Sequence, residues 1–96
     1  MALYGVNPIT RAHILDNHSF GGANNMNKTK FPRSWSDNEI IIAVEAVAND
    51  PTSTSAPTGD VGRLKVKGNR NNVPIAVIVE IKSGLIVSGW PRRPRP

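Results

Sequence analysis

The stretch VGRLKVKGNRNNVPIAVIVEIKSGLIVSGW, residues 61–90, decides the fold. Three segments in it are typical of strands: 61–68 alternates apolar and basic residues, 73–82 is rich in β-branched residues, and 85–90 is a short apolar run. The sequence GNRNN and a Ser-Gly pair separate these segments and are typical of tight turns. Because short turns join antiparallel neighbours, the three strands are expected to form a meander.

Two helices are predicted before this region. Ser36 and Glu39 have the spacing of a capping box, and the apolar run IIIAVEAVA follows, so a helix is predicted over 36–49. Residues 8–16, PITRAHILD, predict a shorter helix because Pro8 suits a first helical position and the apolar residues form a stripe.

The remaining segments are predicted to be irregular. Residues 17–34 are rich in Asn, Gly and Lys, 51–60 are polar and Pro-containing, and 91–96, PRRPRP, are expected to form a loose basic tail. The predicted fold is therefore α+β, a single domain over 1–96 with N-terminal helices packed on an antiparallel β-meander.

Composition excludes several classes of function. The chain of 96 residues has no cysteine, which excludes disulfides and thiolate zinc sites. No apolar stretch is long enough to span a membrane. There is no room for a cofactor-binding domain beside a catalytic one, and neither a cofactor nor a metal is expected.

Charge is distributed unevenly along the chain. Residues 36–60 contain five acids and no Lys or Arg, whereas the rest contains all 12 basic residues and two acids, so the two parts carry about −5 and +10. A basic surface attracts polyanions such as nucleic acid. A solvated basic surface without a partner fits the charge count equally well.

His13 and His18 are the only imidazoles of the chain. Five residues apart, they do not neighbour each other on a helix, so a metal pair is not favoured. Gly21 and Gly22 follow and would let the backbone approach a ligand closely, although a plain turn explains them as well.

An ordered set of short motifs is more specific than any of these residues alone. The set comprises HIL at 13–15, GGA at 21–23, KTKFPRSW at 28–35, the capped helix, GRLKVKG at 62–68 and GLIVSGWP at 84–91. In this order the motifs resemble the bacterial EndoU toxin domain over about residues 11–91. The resemblance implies a compact α+β ribonuclease that cuts RNA, often beside uridine.

The resemblance also implies the site residues. His13 matches the first family histidine, Lys28 the lysine of the KTxFP element, Ser88 the Ser/Thr of the last strand, and Trp90 stands where the family usually has tyrosine. Ala23 falls where the family has a second histidine, which implies an impaired enzyme. Deliberate disarming is the simplest explanation of Ala23, and a naturally inactive homologue is the alternative.

These residue types fit RNA cleavage by the 2′-hydroxyl. Two histidines divide the roles of general base and general acid, and Lys28 stabilises charge on the phosphorus oxygens. Ser88 is expected to bond a pyrimidine edge and Trp90 to stack on the base. His18 is a weaker candidate for replacing the missing histidine.

By the same resemblance, the partners are RNA, with tRNA preferred, and an acidic immunity protein that covers the basic site; the domain is otherwise expected to be monomeric. It would belong to a secreted or cell-surface contact-dependent toxin, act in the target-cell cytoplasm, and need at most weak help from a metal. The alternative is a non-catalytic basic module that binds RNA or docks a protein.

Overall fold

A computed structural model describes residues 3–22, 29–50 and 52–92. Two helices and four strands follow one another in the chain: α1 (Pro8–His18), α2 (Asp37–Asn49), β1 (Thr54–Pro57), β2 (Arg63–Arg70), β3 (Val73–Glu80) and β4 (Leu85–Pro91). The strands form one antiparallel sheet in the order β1-β2-β3-β4. The predicted α+β class with a β-meander is therefore confirmed.

Both helices begin with a capping box. The Ser36 hydroxyl accepts from the Glu39 amide at 3.1 Å, and the Glu39 carboxylate accepts from the Ser36 amide at 3.0 Å, as predicted. At α1, the Asn7 side chain accepts from the Thr10 amide, and Pro8 takes the first helical position. These caps satisfy donors that a helix N-terminus leaves unpaired.

The core lies between α2 and one face of the sheet. Ile75, Val77 and Val79 of β3 point to this face and are fully buried. Gly89 of β4 brings the sheet close to α2, since a Cβ there would lie 2.9 Å from Cγ1 of Val44. The helix-covered face of the sheet is thus closely packed.

The turn between β2 and β3 is shorter than the predicted GNRNN. Pairing of the two strands continues up to Arg70 and Val73. Asn71 and Asn72 alone make the turn, with φ values of 51° and 65°. Asn tolerates the left-handed conformation better than most residues, which suits a two-residue hairpin.

The prediction that 51–60 is a linker loop was wrong, because Thr54–Pro57 form β1 and pair with β2. All four residues of this edge strand are exposed. An exposed strand needs no apolar alternation, so the pattern that marks strands was missing.

The predicted loose tail, 91–96, was wrong at its first residue. Pro91 ends β4 and pairs with Ile75, and the Arg92 amide donates to the Pro74 carbonyl at 2.7 Å. β4 is an edge strand, where a missing N–H is tolerated. Residues 93–96 lie outside the described residues.

No helix within the described ranges is long and apolar enough to cross a membrane.

Candidate active site

The face of the sheet opposite α2 carries two lysines among smaller and aromatic residues, and we call it the open face. Pairing across three strands places Lys67, Ala76 and Trp90 in one row, and Lys65, Ile78 and Ser88 in the next row; these six residues define the open face. Ser88 and Trp90, both predicted site residues, therefore point to the same side as two lysines of β2.

Lys65 and Trp90 are in contact on the open face. The Lys65 ammonium lies 5.3 Å from the centroid of the Trp90 ring, a cation–π distance, although the two residues belong to strands separated by β3. Between them lies Ala76, which is small and fully buried. The Trp90 indole, expected to stack on a base, thus has a cation over it.

His18 lies beside Trp90 at the last turn of α1, with ring centroids 6.4 Å apart. Its side chain is only 8% exposed, and its Nδ1 lies 2.7 Å from the Thr29 carbonyl oxygen. A carbonyl oxygen only accepts, so Nδ1 carries a proton. In the neutral ring the lone pair is then on Nε2, which is the form of imidazole that can act as a base there.

His13 is exposed and is held differently. The Asn17 amide nitrogen donates to the His13 carbonyl at 2.8 Å and lies 3.2 Å from His13 Nδ1. The bond to the carbonyl fixes this nitrogen as the donor, so neutral His13 accepts at Nδ1 and carries its proton on Nε2. The two histidines are therefore held in opposite tautomers. On an α-helix, five residues separate them by about 7.5 Å along the axis.

Two predicted site residues, Ala23 and Lys28, lie outside the described residues. From the family pattern we expect His13, Ala23 and Lys28 to converge on one cleft beside the last strand, and this stays a prediction. The residues that flank this segment both contact the end of α1. A Cβ on Gly22 would lie 2.6 Å from the Asp16 carbonyl oxygen and still closer to that of Leu15, and Thr29 accepts from His18. Only glycine fits at position 22.

Besides the two lysines of β2, a further lysine, Lys30, lies near the end of α1. The Lys30 ammonium donates to the Asn17 carbonyl at 2.8 Å, and the Phe31 amide donates to the His18 carbonyl at 2.8 Å. These bonds hold the 29–31 segment against the helix and extend α1 two residues past its predicted end, because they satisfy carbonyls of its last turn.

The structure thus places His18, Trp90, Lys65 and Ser88 near one another. We call these four residues, together with Lys30 at the end of α1, the α1–sheet site. Sequence reasoning treated His18 as a weaker candidate and did not single out Lys30 or Lys65. The alternation in 61–68 was the available signal for Lys65, since it places the lysines of β2 on the face opposite the core.

The basic residues of β2 differ in their partners. Arg63 pairs with Glu80 at 3.8 Å, and both are partly exposed. In the described part of the chain, Lys65 and Lys67 make no salt bridge. The described ranges also contain no group of three or more His, Cys, Asp or Glu that could hold a metal ion. The positive charges of Lys65 and Lys67 therefore remain available to an anionic ligand.

An α+β domain with the imidazole of α1 beside lysine and tryptophan of the sheet has groups that can act in acid–base catalysis on a polyanion. The family model described as Bacterial EndoU nuclease matches residues 7–93, nearly the whole chain, and the chain belongs to this family. Membership makes it an endoribonuclease of the bacterial toxin type with an RNA substrate. Searches of curated proteins and of solved structures gave no match.

Proposed function

We propose that the domain cleaves RNA by transesterification and that the α1–sheet site binds the substrate. The ribose 2′-oxygen attacks the adjacent phosphorus, the bond from phosphorus to the 5′-oxygen breaks, and the products are a 2′,3′-cyclic phosphate and a 5′-hydroxyl. One group takes the proton of the 2′-hydroxyl and another protonates the leaving 5′-oxygen. The observation that carries this proposal is a buried imidazole beside an aromatic ring and a lysine on a basic face.

The two acid–base roles are proposed for His13 and position 23, as the family pattern implies. The tautomers add a constraint. His13 becomes a base at Nε2 only if its proton moves to Nδ1 and the contact with Asn17 is lost. His18 already has the tautomer of a base at Nε2, which supports it as the substitute when residue 23 is alanine.

Binding of the substrate is proposed to involve the open face. A base that stacks on Trp90 takes the place of the Lys65 ammonium, which then pairs with a phosphate oxygen. Ser88 lies two residues before Trp90 on the same face, and we propose that it bonds the edge of a pyrimidine. Lys28 is proposed to stabilise charge in the transition state.

Ala23 is proposed to limit the activity of this chain. Losing one of two acid–base groups typically lowers a rate by about 10²–10⁴-fold. Total RNA is to be incubated with the chain and with its Ala23→His and Ala23→Gln variants, with and without EDTA, and a DNA of matching sequence is the substrate control. We expect cleavage of RNA only, strongest for Ala23→His, little changed by EDTA and richest in tRNA fragments.

The Ala23→Gln variant is the matched control because it restores size and hydrogen bonding without a titratable group. If Ala23→His is no more active than Ala23→Gln, position 23 is not the missing acid–base residue. Cleavage would then depend on His13 and His18, and their separate replacement by Asn would identify the base. No cleavage by any variant would favour the non-catalytic RNA-binding module.

We further propose that the domain is delivered to the cytoplasm of a neighbouring cell as part of a larger secreted or surface toxin, and that an acidic immunity protein covers the open face. The basic residues outside 36–60 support this, because such a surface speeds association with an acidic protein. The association rate should fall clearly as salt rises. A salt-insensitive rate, or a partner bound only at α2, would contradict the proposal.

A further inference from the structure

At the end of the sheet beyond Trp90 lies a polar cavity of about 320 Å³. It is lined both by strand residues and by the chain that follows α2, which Gly68 faces. It lies at the end of the sheet where β1 begins and β4 ends. Its lining comprises two basic side chains, several polar groups and one acid: Lys67, Arg92, Asn69, Thr52, Ser53, Thr54, Gly68 and Asp50. Two cations at one polar cavity are the usual means of binding a phosphate.

Neither cation of this cavity has an anionic partner in the described ranges. Lys67 and Arg92 are both half-buried, and the salt bridge found there joins two other residues. Arg92 is held in place by its backbone, whose amide donates to Pro74. Partly buried cations without a carboxylate partner are free to pair with an anionic ligand.

The carboxylate in the lining of the cavity, that of Asp50, already accepts two hydrogen bonds. One oxygen of the Asp50 carboxylate accepts from both the amide and the hydroxyl of Thr52 at 2.8 Å. These bonds, that of the amide first, hold the pKa of the Asp50 carboxyl below its ordinary value, so it stays charged near neutral pH. Its charge opposes an anion in the cavity.

The cavity lies within reach of an RNA strand bound at Trp90. Lys67 shares a row with Trp90 across β3, and Arg92 follows Trp90 by two residues along the chain. Two strand spacings amount to about 10 Å and two residues along a strand to about 7 Å. Both cations therefore lie about one nucleotide from the ring, Lys67 in the same row and Arg92 on the side away from the row of Lys65 and Ser88.

We propose that Lys67 and Arg92 form a second phosphate subsite, which binds a phosphodiester of the RNA backbone next to the one that is cleaved. This inference rests on the proposed function, since it assumes that RNA lies along the open face. The subsite adds affinity for longer strands and takes no part in bond breaking. A minimal dinucleotide, which has a single phosphodiester, does not use it.

The test compares 2′-O-methyl oligouridylates of two and eight nucleotides, labelled with fluorescein, since these bind without being cleaved. Binding is followed by anisotropy over a range of salt. The variant is Lys67→Gln/Arg92→Gln, and its charge-matched control is Arg70→Gln/Lys82→Gln, whose residues are exposed and outside the cavity. Each phosphate contact with a single strand contributes about 0.7 to the slope of log K against log salt.

We expect the variant at the cavity to lose about 0.7 from the slope for the octamer, because one phosphodiester is no longer neutralised, and nothing for the dinucleotide. The control should keep the full slope. Asp50→Asn retains the oxygen that accepts from Thr52 but removes its charge, so it should tighten binding of the octamer. If Asp50 had a purely structural role, its replacement by Asn would not increase the affinity for the octamer.

The outcomes separate the subsite from the proposed function. If the unchanged chain binds the octamer and the variant at the cavity keeps its slope, the subsite is wrong and the proposed function stands. If the unchanged chain binds neither oligonucleotide, both are wrong. If inorganic phosphate at millimolar concentration binds through Lys67 and Arg92 while the slope is unchanged, the cavity takes free phosphate and not RNA.

Discussion

The two faces of the sheet are built from alternate residues of the same strands, yet they differ in almost every physical property. Toward α2 they present Val66, Ile75, Val77 and Ile86, all buried in one apolar cluster. The open face presents lysines, Ser88 and Trp90, and it meets the buried His18 at its edge. Neighbouring residues in the chain therefore have different environments: one packs in the core, and the next lies on the face that we propose contacts RNA. Substitutions should separate accordingly.

The largest effect on stability is expected for Ile75→Ala on the helix-covered face. Ile75 is fully buried, and removing its side chain leaves a cavity that typically costs about 2–5 kcal/mol. Urea unfolding measures this loss. At a temperature where the variant is still folded, RNA affinity should stay close to that of the unchanged chain. A large loss of affinity in the folded variant would show that the two faces are not separate.

A smaller effect is expected for Gly89→Ala, with its neighbour Ser88→Ala as the control. The new Cβ would lie 2.9 Å from Val44, and overpacking of this kind costs about 1–3 kcal/mol. Ser88 lies on the open face, so its replacement should change stability by less than about 0.5 kcal/mol while weakening binding of uridine-containing RNA. Equal destabilisation by both variants would contradict the assignment of faces.

Lys65→Gln should affect binding and leave stability almost unchanged. One lost phosphate contact lowers the salt slope for single-stranded RNA by about 0.7. The ammonium also leaves the Trp90 ring, so indole fluorescence should change in a Trp35→Phe background, where Trp90 is the only tryptophan. Lys82→Gln removes the same charge from an exposed turn and serves as the control. An unchanged slope would remove Lys65 from the site.

The smallest effect concerns pH and the cap of α2. Hydrogen bonds with Ser36, first with its backbone amide and then with its side chain, hold the pKa of the Glu39 carboxyl below its ordinary value. A lowered pKa in the folded state adds stability above the unfolded pKa and loses it as pH falls through the folded pKa. Urea midpoints at pH 7 and pH 3 should therefore differ slightly less in Glu39→Gln than in the unchanged chain. The same pH dependence in both would show that Glu39 contributes nothing.

Much of the fold could be predicted because its signals are local. The capping box at Ser36 and Glu39 and the period of 73–82 each need only a few neighbouring residues to be read. β1 could not be predicted, since it is exposed and pairs through its backbone alone. The last turn of α1 depends on Thr29 and Lys30, which lie 11 and 13 residues away in the sequence from the helix residues they bond.

The candidate site was predicted only where residue types matched a family pattern. Ser88 and Trp90 do share the open face, but the pattern does not reveal that Lys65 reaches across β3 to Trp90. That contact depends on the register of β2 with β3 and on the small size of Ala76 between them. The burial of His18 likewise depends on how α1 packs against β4, which no local pattern contains.

The central claim, that RNA binds the open face beside the end of α1, is tested most directly by amide NMR. A ¹⁵N-labelled chain is titrated with the eight-nucleotide 2′-O-methyl oligouridylate. We expect the largest shift changes at Lys65, Lys67 and Ser88, at the Trp90 indole and around His18, with little change over α2. Changes confined to α2, or none at saturating RNA, would contradict the account.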